Sequence, residues 1–273
     1  MVKKDKMESI HVIKRYLFYS YIRFIRYIIN SFYQRKKHYF LFILSPPYCG
    51  STMLNQLLSS SRNVSCNNHL GTREGQLLPG VSHIMFQDNR WDEEIHYPWE
   101  DIKTVWMRYW DLSKKVLLDK SIPNIMRVAQ IDKVFDPIYY ICMVRNPYAQ
   151  VESIIRRNQQ DVRSAAEFAI KCLYFQSINK DRKNTFFFTY EELCNDTDKV
   201  IKRMIDFLPD LEDINANMGF TSHNYKTSKK MRMMNLNDEK IAKLSDADIL
   251  TINSVFEGEK DILRMFNYKI IQR

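Results

Sequence analysis

Residues 38–45 (HYFLFILS) form an unbroken apolar run that stops at Pro46-Pro47, the pattern of a strand buried on both faces. Ile138–Val144 (IYYICMV) repeats it and ends at Arg145-Asn146-Pro147, and Thr185–Thr189 (TFFFT) is a third, shorter run. Val116–Leu118 is a brief apolar segment before Asp119-Lys120. Between these runs the apolar spacing lengthens to that of helices, over 52–60, 124–135, 148–157, 165–179, 200–208 and 246–266. Strands alternating with helices predict an α/β fold with a mostly parallel sheet. Residues 62–100 read as irregular. Gly71, Gly75, Pro79, Gly80 and Pro98 interrupt them, and their His and Trp content suits a loop wall around a substrate.

Residues 10–33 (IHVIKRYLFYSYIRFIRYIINSFY) predict a helical leader. Arg23 and Arg26 near its centre argue against a membrane span, and no small-residue cleavage site marks a signal peptide. Wound as a helix, it sets His11, Arg15, Ile22 and Arg26 along one narrow stripe. Two readings follow: an interfacial helix resting on anionic lipid, or a helix packed on the domain with its arginines reaching solvent along their stems. No Gly/Ser linker, repeat or low-complexity tract divides the rest, so the organisation is a basic, aromatic leader over 1–37 and one domain over 38–273.

Composition narrows the function. With 273 residues, 45% of them hydrophobic, the chain has enough apolar material for a packed core and is no disordered tail. A net charge of +9 favours anionic partners: nucleic acid, an acidic membrane face, or a phosphorylated or sulfated small molecule. No RNP motif, zinc finger or helix-turn-helix supports nucleic acid. Cys49, Cys66, Cys142, Cys172 and Cys194 are odd in number and show neither Cys-x-x-Cys nor zinc spacing. That predicts a reducing, cytoplasmic setting and no bound metal. The Asn-x-Ser/Thr triplets at Asn63 and Asn195 read as chance. Lys226, Lys229, Lys230 and Arg232 read either as a solvated charge run or as a basic loop folding over a nucleotide, with Met231, Met233 and Met234 beside them as packing. Trp91, Trp99, Trp106 and Trp110 suit either stacking on an acceptor or the core.

Two turns carry the chemistry. After the first strand, Ser45-Pro46-Pro47-Tyr48-Cys49-Gly50-Ser51-Thr52 leads into a helix. The backbone N–H groups of Gly50 to Met53, the helix dipole and two hydroxyls suit one anion. An ordinary turn with Ser51 as N-cap reads the same way. The turn lacks the Gly-x-x-x-x-Gly-Lys-Ser/Thr of a phosphotransferase loop. After the strand at 138–144, Arg145 is followed eight residues on by Ser153, both placed to reach one phosphate. An arginine paired to a carboxylate is the other reading of that strand end. Ligands of open α/β sheets sit at the carboxyl ends of strands, so the two turns together suit a nucleotide with phosphates at both ends of its ribose.

These segments resemble the PAPS-dependent sulfotransferase family, closest to its bacterial and tyrosylprotein-like branches. Residues 46–54 (PPYCGSTML) are similar to its 5′-phosphosulfate loop, and 144–154 (VRNPYAQVESI) to its 3′-phosphate motif. Residues 117–127 (LLDKSIPNIMR) resemble its Lys-Ser/Thr-Pro-Asn segment, and 189–193 (TYEEL) its later turn. The matches run in family order over roughly 38–210. The resemblance implies a P-loop-like three-layer fold with a central parallel sheet. It implies 3′-phosphoadenosine 5′-phosphosulfate (PAPS) as cofactor, 3′-phosphoadenosine 5′-phosphate (PAP) as product, and in-line sulfuryl transfer to a hydroxyl or amine of a small-molecule or glycan acceptor. It places Tyr48, Cys49, Gly50, Ser51, Thr52 and Met53 at the 5′-phosphosulfate, Arg145 and Ser153 at the 3′-phosphate, and Tyr190 near the adenine.

One departure stands out. The family carries Lys or Arg two residues before the loop glycine, and here that residue is Tyr48, which brings no positive charge at neutral pH. Lys120 is the expected substitute, as related branches set a lysine of this segment against the sulfuryl group. The alternatives are a PAPS-binding protein with little activity and a basic protein for membrane or nucleic acid. Glu74 is expected as the general base, with His69 and His83 as runners-up. Asp92 and Glu94 read as surface charges.

Overall fold

A computed structural model describes residues 2–33, 37–220 and 232–272, without the side chains of 2–12. The leader forms α1 (Val2–Phe32). The domain then runs β1 (Tyr39–Leu44), α2 (Ser51–Leu58), β2 (Val64–Cys66), α3 (Ser82–Met85), α4 (Trp99–Trp106), β3 (Val116–Asp119), α5 (Val128–Ile131), β4 (Ile138–Val144), α6 (Pro147–Asn158), α7 (Val162–Asn179), β5 (Thr185–Thr189), α8 (Tyr190–Asn195), α9 (Thr197–Phe207), α10 (Asn237–Ile241), α11 (Asp246–Phe256) and α12 (Lys260–Met265). The strands lie in the order β2-β3-β1-β4-β5, and every pairing is parallel.

The continuous apolar runs are explained by burial on both faces. Along β1, Phe40, Phe42 and Leu44 join one core with Trp106, Trp110 and Phe135. Leu41 and Ile43 join a second core on the other face with Leu54, Leu57 and Met204. A third cluster joins α6, α7 and α11 through Tyr148, Leu173 and Phe256. β1 sits at the centre between β3 and β4, so the loops leaving these three strands emerge side by side. The chain leaves β1 toward β2 and leaves β4 toward β5. Their carboxyl ends therefore frame the switch point where such sheets bind ligands.

Several elements differ from the sequence expectation. Residues 62–100 are not wholly irregular: they hold β2, only three residues long, α3 and the start of α4. The helix expected over 124–135 is a 3-10 turn at Ile122–Met126 followed by the short α5. Pro123 lies in that turn, and the Asn124 side chain is drawn away to Asp119. The helix expected over 246–266 is broken by a 3-10 turn at Glu257–Glu259. Gly50, not Ser51, caps α2. Trp99, Trp106 and Trp110 are core residues, and Trp91 packs edge-on against Phe168. Met233 packs on the core as expected, whereas Met234 is exposed. Lys226, Lys229, Lys230 and Met231 lie outside the described residues.

α1 packs on the domain through the stripe that carries Arg15, Ile22 and Arg26. Arg15 Nη2 donates to the Leu77 carbonyl at 3.3 Å. Tyr19 donates to Asn68 Oδ1 at 3.2 Å, and Arg26 pairs with Asp111 at 2.7 Å. The Asn30 amide bonds the Trp110 carbonyl and the Leu112 amide.

Candidate active site

The turn after β1 is held in a form that asks for glycine at one position. Gly50 has φ +92°, and a Cβ there would sit 2.9 Å from Tyr190 Cδ2. No side chain caps the start of α2, the condition in which helix amides serve an anion. Thr52 donates its hydroxyl to the Thr72 carbonyl at 3.2 Å. Cys49 is buried, and burial pushes its thiol up, so it stays neutral. Tyr48, itself at φ +64°, donates its phenol to Asn158 Oδ1 at 2.6 Å, with the Arg157 guanidinium 5.3 Å from its ring centroid.

Lys120 leaves the end of β3 and is almost fully buried. Its Nζ lies 3.1 Å from Glu74 Oε1 and 3.4 Å from Thr52 Oγ1. The other Glu74 oxygen accepts from Gln76 Nε2. Residues 74–76 are pinned from three sides. Asn68 Nδ2 donates to the Glu74 carbonyl at 2.7 Å, Trp106 Nε1 donates to the Gly75 carbonyl at 3.2 Å, and the Gln76 amide donates to Ser121 Oγ at 2.9 Å. Asp119 accepts from Asn67, Ser121 and Asn124 beneath this segment. Its burial outweighs those donors and pushes its carboxyl up to about 6. A Cβ on Gly75 would sit 2.1 Å from Asp119 Oδ1.

Arg145 leaves the end of β4 and turns toward the same crevice. Its Nη1 donates to the Tyr48 carbonyl at 3.0 Å, its Nε donates to Asn237 Oδ1 at 2.7 Å, and its guanidinium lies 4.2 Å from the Tyr190 ring centroid. Nη2 is buried with no partner among the described residues. Tyr190 thus fills the space between Gly50 and Arg145, and its hydroxyl donates to the Met234 carbonyl at 2.8 Å. Ser153 is buried, its hydroxyl 2.9 Å from the Ala149 carbonyl and 3.2 Å from Glu152 Oε2. Burial raises Glu152, but hydrogen bonds from Lys240 and Arg156 outweigh it and hold the carboxyl below its usual range.

The three strand ends therefore bring Thr52, Lys120 and Glu74 together, and they join the Gly50 turn to Arg145 through Tyr190. His69 is elsewhere: its Nδ1 is 3.3 Å from Cys66 Sγ. Burial of its ring, with Arg73 and Arg26 nearby, pushes it down to about 4. His83 lies on α3. Sequence reasoning did not find Asn67, Asn68, Gln76, Ser121 or Asn237, which position the named residues. Asp119, adjacent to Lys120 at a strand end, was the one visible signal. A cavity of about 620 Å³ lies between α1 and the 70–77 turn, lined by Lys14, Arg15, Phe18, Leu70, Gly71, Thr72 and Leu77. Among the described residues no group of three His, Cys, Asp or Glu converges as a metal site.

A parallel α/β sheet thus carries, at adjoining strand ends, a glycine turn without a side-chain cap and a buried arginine with an unpartnered nitrogen. A model of the sulfotransferase family matches residues 41–213, and the chain belongs to that family. No curated protein matches it in sequence. Its fold is similar to the sulfotransferase domain from the Synechococcus PCC 7002 olefin synthase (TM-score 0.52, 20% identity, covering 83% of this chain and 96% of that one). It is also similar to mouse sulfotransferase SULT7A1 complexed with PAP (TM-score 0.52, 12% identity, 88% and 93%). A third likeness is to a sulfotransferase from Alicyclobacillus acidocaldarius (TM-score 0.51, 11% identity, 86% and 97%).

Proposed function

We propose that this sulfotransferase takes its sulfuryl group from PAPS and transfers it by in-line displacement to a hydroxyl or amine of a small-molecule or glycan acceptor. The observation that carries the reading is the buried Lys120 ammonium, held between Thr52 at the start of α2 and the Glu74 carboxylate. The residues fit the nucleotide: the start of α2 is uncapped, and Arg145 Nη2 is a buried donor without a partner in the same crevice. The PAP named with the mouse sulfotransferase supports the same class of cofactor.

When bound, PAPS supplies an activated sulfuryl group on a phosphate leaving group. Residues 49–53 would hold the 5′-phosphosulfate through backbone amides and hydroxyls, and Tyr48 joins them through its backbone. Arg145 and Ser153 would hold the 3′-phosphate, with Tyr190 beside the nucleoside. Lys120 brings the positive charge that Tyr48 lacks to the reacting end. Glu74 takes the acceptor's proton at its carboxylate. Burial of both side chains keeps water from the pair and strengthens its field.

The test is calorimetric titration with PAP and with the 5′-phosphate analogue lacking the 3′ group. PAP should bind the tighter by at least tenfold, and Arg145→Ala should abolish the difference. Equal weak binding of both nucleotides by the wild-type protein would overturn the cofactor assignment. Tight PAP binding with no transfer to any hydroxyl or amine would leave a nucleotide-binding protein without activity.

A further inference from the structure

α1 packs on the domain through Phe18, Tyr19 and Ile22, yet it is apolar on its far side as well. Its hydrogen-bonding residues Tyr19, Arg26 and Asn30 face the domain, while Tyr16, Leu17, Tyr21, Phe24, Tyr27 and Phe32 face outward, 60–79% exposed. At about 100° per residue these six fall within an arc of roughly 160°, with Lys14 at one margin and Arg23 at the other. A helix serving only its own domain turns its apolar side inward, and a contiguous outward apolar face marks a partner.

We propose that this face lies on an anionic lipid bilayer, with the rings at headgroup depth and Lys14 on lipid phosphates, holding the domain peripherally. Tyrosines with an apolar body and a polar tip suit that depth. An exposed lysine at the margin of an apolar arc suits phosphates above acyl chains. No described helix is long and apolar enough to cross a membrane, so the contact is with the surface. A second copy fits less well. Between residues 2 and 32, Lys3, Lys4, Lys6, Lys14 and Arg23 outweigh Asp5 and Glu8 even with Arg15 and Arg26 engaged by the domain, and pairing the helix with a second copy sets like charge against like. The inference does not rest on the donor or on the chemistry of Glu74 and Lys120.

The test is co-sedimentation of the full chain with phosphatidylcholine vesicles, with and without phosphatidylglycerol, at low and raised salt. The wild-type chain should pellet with the anionic vesicles only, and less so in salt. Combining Tyr16→Ser, Phe24→Ser and Tyr27→Ser should lower partitioning by about a hundredfold at unchanged PAP affinity. Lys14→Glu, a milder change at an exposed position, should lower it at least about fivefold. Equal binding to both vesicle types, or wild-type partitioning by both variants, overturns the proposal. So does a wild-type dimer in sedimentation velocity that the triple variant converts to monomer, which would make a second copy the occupant.

Discussion

Replacing Glu74 by Gln separates catalysis from folding at the centre of the site. The carboxylate and the Lys120 ammonium are 3.1 Å apart and nearly inaccessible. At an effective dielectric near 20 their attraction comes to about 5 kcal/mol, and removing one partner of a buried pair costs roughly 3–5 kcal/mol. Glutamine keeps the shape, and its carbonyl still accepts from Lys120. The amide then meets Gln76, whose Oε1 is buried without a partner and accepts once that side chain turns over. The loss of stability should therefore fall near the lower figure, about 3 kcal/mol, a drop in Tm of roughly 6–12 °C. The catalytic loss is separate: a missing general base lowers kcat by about 10²–10⁴. Calorimetry with PAP should give an affinity equal to or tighter than wild type, because the contacts of Arg145 are untouched and Lys120 is freed from the Glu74 charge. The assay is transfer of labelled sulfuryl from PAPS to a screened acceptor, with Tm followed in parallel. Wild-type kcat in a folded Glu74→Gln protein would remove Glu74 as the base. Unaltered Tm with reduced kcat would refute the buried ion pair.

Three further outcomes follow from the same geometry. Lys120→Ala should lower kcat by more than about a hundredfold, on the scale of a lost charge-stabilising donor, whereas Tyr48→Phe, which removes only the bond to Asn158, should change it less than about threefold; steady-state kinetics of the pair tests which residue meets the reacting end, and a larger loss in Tyr48→Phe reverses the assignment. Gly75→Ala forces a Cβ into the Asp119–Asn67 contact, so Tm should fall by well over 10 °C or the protein should be recovered insoluble; a soluble variant with wild-type Tm contradicts the packing. Asp119, raised to about 6 in the fold against an ordinary value near 4, favours folding below pH 4 and loses that contribution as pH rises through 6, so the Tm of Asp119→Asn should gain on wild type between pH 4 and 7 by the equivalent of about 2–3 kcal/mol; a constant difference across that range refutes the shift.

The sheet was largely legible because strands buried on both faces write themselves as unbroken apolar runs. β2 was not: Val64–Cys66 is shorter than any period that distinguishes it from a loop. The turns at Gly50 and Arg145 were legible as chemistry, and the spacing of the resembling segments pointed to Lys120 and Glu74. What no spacing shows is that side chains 46 positions apart meet, or that Arg145 is held by an asparagine 92 positions away. The amides of Asn67 and Gln76 left no trace, since a buried amide that satisfies a carboxylate reads in sequence like any surface polar residue. For α1 the sequence supplied the stripe of Arg15, Ile22 and Arg26 but not its direction. That depended on Asn68, Asp111 and Trp110 offering polar groups to it.

The pairing of Lys120 with Glu74 also bears on the order of events under the proposed reading. The Glu74 carboxylate and the Lys120 ammonium are bonded to each other, so this oxygen of Glu74 is engaged while the pair holds. Negative charge at the start of α2 competes for the same ammonium, because Thr52, the first hydroxyl within that helix to reach Lys120, is only 3.4 Å from its Nζ. Drawing Lys120 toward Thr52 loosens its hold on Glu74 and frees that carboxylate oxygen to meet the acceptor. The carboxylate oxygen is thus free when the donor is in place, which favours donor binding ahead of the acceptor. Gln76, bonded to the other oxygen of Glu74 and fixed through its amide to Ser121, keeps the carboxylate in position while its partner shifts.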